Sequence, residues 1–145
     1  MTDAASLKLI AEDPTDLTVI AACLQDALVP ISDIAWLQEE RQLALAVNRF
    51  MWERPAEGDA AAPIYYRTHA LVRVDGATAI RSRGYDRNDR ARILSLLSLR
   101  PVEGGVDLLF SDNAVIRVVA AEPVVTLLDV GDPWPTRWRP GHGED

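Results

Sequence analysis

Apolar residues recur at every second position in a series of short runs that fills most of the chain after residue 30. A period of two is the pattern of a strand with one face against a core. Residues that favour turns separate the runs. With a first run at residues 7–11, we predict about seven to eight strands in a strongly curved antiparallel sheet or a partly open barrel. The predicted strands cover residues 7–11, 31–37, 43–52, 64–74, 77–83, 92–102, 106–110 and 115–130.

The segment after the first run carries the signals of one amphipathic helix. Asp13 can cap the helix, Pro14 suits its first position, and Asp16 adds a negative charge where the helix dipole favours it. The apolar residues at helical spacing are Leu17, Ile20, Ala21, Leu24 and Leu28. We therefore predict a helix over residues 14–28, and with it the α+β class.

Two turn signals indicate hairpins. The polar residues 38–41 separate two predicted strands, which favours a first hairpin. Asp75-Gly76 readily adopts the positive backbone angles of a type I′ turn. We predict that the strands on either side of this turn pair with each other.

The middle of the chain is basic, since residues 64–100 carry eight basic and three acidic side chains. Strand alternation in the second hairpin places four side chains on a common face, those of Tyr65, Arg67, His69 and Arg73. Arg81 and Arg83 fall on the opposite face. The basic patch is thus divided, and we favour a solvated face over a surface that stacks bases or pairs with phosphate or carboxylate.

The bulk properties indicate a single globular domain over residues 1–145. Residues 53–63 have no periodicity and predict a surface loop. The formal net charge of -7 makes nucleic acid an improbable partner. We find no secretory signal and no apolar run of about 20 residues. With the single Cys23, this predicts a soluble cytoplasmic protein without a membrane partner.

Residues 131–145 form a tail rich in Pro, Trp and Arg. In an extended chain Trp134, Thr136 and Trp138 point one way, and Arg137 and Arg139 point the other. The two indoles can cover an open part of the curved sheet, as an internal strap. They can equally present aromatic and arginine anchors to a partner. We favour the strap and keep the external grip open.

Motifs for catalysis, metals and cofactors are missing from the sequence. His69 is a candidate general base, because histidine is the side chain that most often serves in that role, but no nucleophile motif accompanies it. His69 and His142 are not spaced as metal ligands. Neither a Walker A motif nor G-x-G-x-x-G is present. We therefore assign no catalytic residue, no metal site and no cofactor.

Several motifs together resemble one family: LKLIAEDPTDL, LQDAL, NRFMWE, RSRGYDR, VIRV and the terminal GDPWPTRWRPGH. They are similar to the alphaproteobacterial family known as domain of unknown function 2948. The resemblance spans nearly the whole chain. It implies a single cytoplasmic domain and carries no established activity, ligand or catalytic residue.

The leading hypothesis is a noncatalytic binding or interaction module, with a regulatory role as one form of it. Its candidate surfaces are the Tyr65–Arg73 strand and the tail, and its partner is another protein or a second copy. The alternative is a small-ligand protein or enzyme whose polar pocket assembles from Arg67, His69 and Arg73. RNA binding is a third hypothesis, and it requires a continuous basic face.

Overall fold

The computed structural model describes residues 7–141. This part of the chain forms ten strands and one α-helix. The helix is α1 (Pro14–Cys23), and the strands are β1 (Lys8–Ala11), β2 (Ala27–Pro30), β3 (Ile34–Leu37), β4 (Gln42–Phe50), β5 (Tyr65–Asp75), β6 (Ala79–Arg83), β7 (Ile93–Val102), β8 (Gly105–Phe110), β9 (Val115–Val119) and β10 (Val124–Thr136).

The strands form one antiparallel sheet in the order β1, β10, β5, β4, β2, β7, β8, β9, β6, with β3 beside β4. The sheet is open, because β1 and β6 lie at its two ends. The predicted antiparallel sheet with one helix is confirmed, but the number of strands was underestimated. One additional strand, β2, begins in the last two residues of the segment predicted as helix. The other arises because the predicted run 115–130 divides into β9 and β10.

The helix begins as predicted and ends early. The backbone N–H of Asp16 donates to Asp13 Oδ1 at 2.8 Å, which is the expected cap. The helix ends at Cys23 rather than at residue 28. Asp26 has a left-handed backbone with φ of 63°, and its N–H donates to a carbonyl of β7 at 2.8 Å. A residue in this conformation ends a helix, so the apolar residues that follow become a strand.

Of the two predicted hairpins, the one around residues 38–41 is confirmed, because β3 pairs with β4. The prediction of a hairpin at Asp75-Gly76 is wrong, because β5 and β6 do not pair, although the chain does turn there. The Gly76 N–H donates to the Arg41 carbonyl at 3.0 Å, which directs the chain past the β3–β4 turn. The Thr78 N–H then donates to Val119 at 2.8 Å, and β6 pairs with β9. Both edges of β5 are occupied instead by β4 and β10.

One hydrophobic core joins the two halves of the sheet. The helix α1 packs against both β1 and β7, which have β10, β5, β4 and β2 between them. The sheet therefore bends around α1. This bend gives every strand an inner face toward the core and an outer face away from it.

The loop and the tail connect to this sheet in different ways. Residues 53–63 lie between β4 and β5, and Glu57 forms an isolated bridge with Ile64. Residues 131–136 of the predicted tail belong to the long strand β10. Residues 142–145, with His142, lie outside the described residues. No helix in residues 7–141 has both the length and the apolar character needed to cross a membrane.

Candidate functional site

Alternate residues of β5 face opposite sides of the sheet. Ala70, Val72 and Val74 are buried in the core. The odd-numbered positions face outward, and they include the predicted set Tyr65, Arg67, His69 and Arg73. These four side chains share a face, but they have different neighbours and different exposure.

A groove of about 370 Å³ lies on this outer face, and we call it the outer groove. It lies where β2 diverges from β4, because β2 pairs with β4 only at Leu28 and Asn48, whereas all four residues of β2 pair with β7. Its polar lining residues are Asp33, Asn48 and His69. Its apolar lining residues are Leu28, Pro30, Ala46, Val47, Ala70, Leu71, Ile93 and Val130. The groove is thus mainly apolar, with a few polar groups at its ends.

Arg67 lies next to the outer groove as a buried cation. Its Nε donates to Asn48 Oδ1 at 2.6 Å, and its Nη2 donates to the Asn48 carbonyl at 3.0 Å. Its Nη1 is buried and has no hydrogen-bond partner within the described residues. Burial lowers the pKa of the Arg67 guanidinium, and the negative charge of Asp26 opposes this shift. The guanidinium nevertheless remains charged at neutral pH, because arginine does not lose its proton in proteins.

The tail contacts both Arg67 and His69, of which Arg67 is buried and His69 stays exposed. The Trp134 ring lies 4.8 Å from the His69 ring, centre to centre. Trp138 lies over the Arg67 guanidinium at 5.9 Å, and Phe50 lies 6.0 Å from the same group. Both distances are in the range of a cation–π contact. Both predicted tail tryptophans therefore contact the protein's own sheet, as the strap hypothesis requires.

A bulge in β10 makes these contacts possible. Val130 pairs with His69 and Trp134 pairs with Arg67, so the register shifts between them. Gly131, inside this shift, has φ of 78°, which suits a glycine. The two extra residues in β10 carry Trp134 back over the outer face of β5.

The two predicted tail arginines lie away from the outer groove. Arg137 Nη1 donates to the Ala62 carbonyl at 2.9 Å and so connects the tail to the loop before β5. The Arg139 guanidinium lies 5.4 Å from the centre of the Trp52 ring. Both arginines thus take part in holding the tail against the chain.

Tyr65 and Arg73 lie at opposite ends of β5 and do not join His69. The Tyr65 ring lies 5.5 Å from the Phe50 ring. Arg73 Nε pairs with Asp75 Oδ2 at 3.0 Å in a partly exposed ion pair. The sequence-based set therefore separates into Arg67 and His69, which contact the tail, and two side chains with local partners.

Sequence reasoning missed a buried ionic cluster on the inner face. Arg49 is fully buried and forms hydrogen bonds of 2.8 and 2.9 Å to the two carboxylate oxygens of Asp129. It also donates to both oxygens of Glu53, at 3.0 and 2.7 Å. Burial acts to lower the pKa of Arg49, but the hydrogen bonds to the two carboxylates raise it above its ordinary value. Strand alternation was the available signal, because Arg49 follows Leu43, Leu45 and Val47 on the inward positions of β4.

Cys23 lies beside this cluster, and its carbonyl is 3.5 Å from Arg49 Nη1. Burial raises the pKa of the Cys23 thiol, while the positive charge of Arg49 acts in the opposite direction. A raised pKa reduces the thiolate that nucleophilic chemistry needs. In residues 7–141 no group of three His, Cys, Asp or Glu side chains is placed to hold a metal ion.

Comparison with known proteins gives a family without an assigned activity. The family model described as protein of unknown function (DUF2948) matches residues 7–142. No curated protein and no solved structure shows significant similarity to the chain. Any functional conclusion therefore depends on the geometry of the molecule itself.

Proposed function

The chain belongs to the DUF2948 family of proteins of unknown function, and for it we propose a noncatalytic interaction module that binds through the outer groove. The observation that carries this proposal is a concave apolar surface with large exposed side chains at its border. Ile93 is 56% exposed and Val130 is 44% exposed, and both line the groove. Contiguous apolar surface of this kind is typical of interaction sites.

The polar pocket of the alternative hypothesis has less support. It requires Arg67, His69 and Arg73 to converge on one cavity. Arg67 is instead covered by Trp138, and Arg73 pairs with Asp75. Of the three, only His69 lines the groove. The arrangement suits the binding of an apolar surface better than acid–base chemistry.

The occupant that fits the outer groove is a second copy of the chain. A two-fold interface joins the same patch on both copies, so the patch must complement itself. The outer groove offers a hollow and, at its border, the projecting side chains of Ile93 and Val130. In a two-fold pairing, Ile93 of each copy can fill the groove of the other. The apolar area of both copies is then removed from water.

The polar groups of the groove are also self-complementary. His69 lies in one row with Asn48 and Leu28. Asp33 follows Pro30, which pairs with Ile93 further along the groove. Because the imidazole and the carboxylate lie toward opposite ends, a two-fold axis brings His69 of one copy to Asp33 of the other. A hydrogen bond between an imidazole N–H and a carboxylate can form at both ends of such an interface.

Sedimentation velocity and native mass spectrometry of the full chain test this proposal. We expect a dimer for the native sequence and a monomer for Ile93→Glu, because the substitution places a charge in the apolar contact. Val19→Glu is the matched control, since Val19 is 52% exposed on α1 and lies outside the groove. It should remain a dimer. A native chain that stays monomeric at high micromolar concentration contradicts the proposal.

An exchange of the two polar groups provides a second, independent test. Asp33→His and His69→Asp should each weaken the dimer, because each places two like groups opposite one another. The double variant restores one imidazole and one carboxylate at each end, so the dimer should recover. Equal weakening in the double variant means that the two side chains do not meet, and the two-fold arrangement is then wrong.

A further inference from the structure

A second groove, of about 420 Å³, lies on the outer face of the other half of the sheet. It is lined by residues of β6, β7, β8 and β9. Four arginines line it, Arg81, Arg83, Arg100 and Arg117, together with the one acidic residue Asp107. We call it the arginine groove. It is separate from the outer groove, since the two share no lining residue.

Strand pairing brings these charges into one row. Arg100 pairs with Asp107, Asp107 with Arg117, and Arg117 with Arg81. Consecutive strands therefore carry one positive, one negative and two further positive side chains. Arg83 lies two positions from Arg81 on the same face of β6.

Asp107 holds one of the four arginines in place. Its carboxylate is buried, and it accepts hydrogen bonds from Arg117 Nε at 2.7 Å and Nη2 at 2.8 Å. The hydrogen bonds from Arg117 lower the pKa of Asp107, and the charges of Arg100 and Arg83 act in the same direction. The single carboxylate is thus used by Arg117 and stays ionised.

The other three guanidiniums have no such partner. Within residues 7–141, Arg81, Arg83 and Arg100 form no ion pair and donate no side-chain hydrogen bond. Arg81 also lies directly opposite Arg117. Like charges at facing positions of an antiparallel pair destabilise it. The strand β6 lies at the edge of the sheet, and charged side chains on an edge strand protect against aggregation. That protection does not require four arginines around one groove.

We propose that the arginine groove binds a small phosphorylated molecule. Guanidinium groups pair with phosphate oxygens through two parallel hydrogen bonds. Three arginines that form no ion pair in the described part of the chain supply the charge that a phosphate or diphosphate group needs. The volume is in the range of small-molecule sites. A long nucleic acid fits less well, because the chain as a whole carries a net charge of -7.

Isothermal titration of the full chain with inorganic pyrophosphate, at fixed ionic strength, tests this site. We expect saturable binding by the native chain. Binding should be weakened about tenfold or more in Arg81→Gln and in Arg100→Gln, because each loses a charged hydrogen bond to the ligand. Lys8→Gln is the matched control, since it removes one exposed positive charge from β1 at the other end of the sheet. It should bind pyrophosphate like the native chain.

Stability without ligand distinguishes a binding role from a structural role. Arg81→Gln should melt at the same temperature as the native chain or higher, because it removes the repulsion with Arg117. A lower melting temperature makes Arg81 a structural residue and overturns the proposal. Absence of pyrophosphate binding by the native chain overturns it as well, and so does equal weakening in Lys8→Gln. Tight binding of a 12-nucleotide single-stranded RNA, without pyrophosphate binding, assigns the groove to a polymer instead.

Discussion

Arg49 on β4 and Arg67 on the neighbouring strand β5 are both buried, but their surroundings differ in kind. Arg49 faces the core and donates hydrogen bonds to all four oxygens of Asp129 and Glu53. Arg67 faces outward, donates only to Asn48, and keeps one buried nitrogen without a partner in the described residues. The two regions show that burial of a charge alone does not reveal its role. The number of satisfied hydrogen bonds distinguishes a cation that holds two carboxylates from one that keeps an unpaired N–H group.

The largest effect is expected when Arg49 is removed. Arg49→Met leaves the buried carboxylate of Asp129 without its cation, so we expect a loss of about 3–5 kcal/mol in the free energy of unfolding. Urea denaturation followed by circular dichroism measures it. Arg73→Met is the control, since its ion pair with Asp75 is partly exposed and is worth about 0–1 kcal/mol. Similar losses in both variants would mean that the buried Arg49 cluster contributes no more to stability than a partly exposed ion pair.

Of the two regions compared, the one around Arg49 should contribute to the pH dependence of stability. Burial acts to raise the pKa of Glu53, but the hydrogen bonds from Arg49 lower it below the ordinary value of 4.5. A lowered pKa means stability that is present above pH 4.5 and lost as the pH falls below it. Glu53 is 38% exposed, so we expect a contribution of about 1 kcal/mol at most.

Urea denaturation between pH 3 and pH 7 measures this contribution. The acid-side decrease should be smaller in Glu53→Gln than in the native chain. Glu122→Gln, at an exposed position near β10, serves as the control and should follow the native curve. An unchanged decrease in Glu53→Gln would mean that Glu53 does not hold Arg49 in solution.

The tail contact over Arg67 should contribute less. Trp138→Ala removes the indole from the guanidinium, and an exposed cation–π contact is worth about 0.5–1 kcal/mol. We expect a loss of that size, measured by thermal unfolding. Trp36→Ala gives a comparison, because Trp36 packs against the core and should cost clearly more. No loss in Trp138→Ala would contradict the strap and return the tail to the external-grip hypothesis.

The smallest effect is expected at Arg67 itself. Arg67→Met keeps much of the side-chain volume and removes a cation that forms no ion pair with any residue between 7 and 141. The variant no longer carries the cost of burying a charge with one nitrogen unpaired in that range. This offsets the loss of the two hydrogen bonds to Asn48, so we expect a change within about 1 kcal/mol. The same urea measurement applies. A loss as large as that of Arg49→Met would mean that Arg67 is a structural cation with a partner of equal strength.

Local signals of the sequence were sufficient for some elements. The cap at Asp13 and the turn at residues 38–41 depend on neighbours within a few residues, so each was predicted correctly. The hairpin at Asp75-Gly76 failed although its signal was strong. A turn specifies that the chain changes direction, but the partner of a strand depends on which edges are free. In this fold β4 and β10 occupy both edges of β5.

The candidate site was predictable in part. Alternation along β5 correctly indicated that Arg67 and His69 share a face. The same rule, applied to β4 and β10, would have placed Arg49 and Asp129 on inward positions and indicated a buried ion pair. The contact of Trp134 with His69 was not predictable in this way. It depends on a bulge after Val130 that shifts the register of two strands far apart in the sequence.

The sequence by itself determined the period-two pattern, the helix start and the inward or outward direction of most side chains, because these follow from local backbone geometry. Only the tertiary structure decided which strands are neighbours. Strand pairing positions both grooves, since one lies where β2 diverges from β4 and the other collects charged side chains from four strands. Long-range pairing depends on the packing of the whole core around α1, and no local stretch of sequence contains that information.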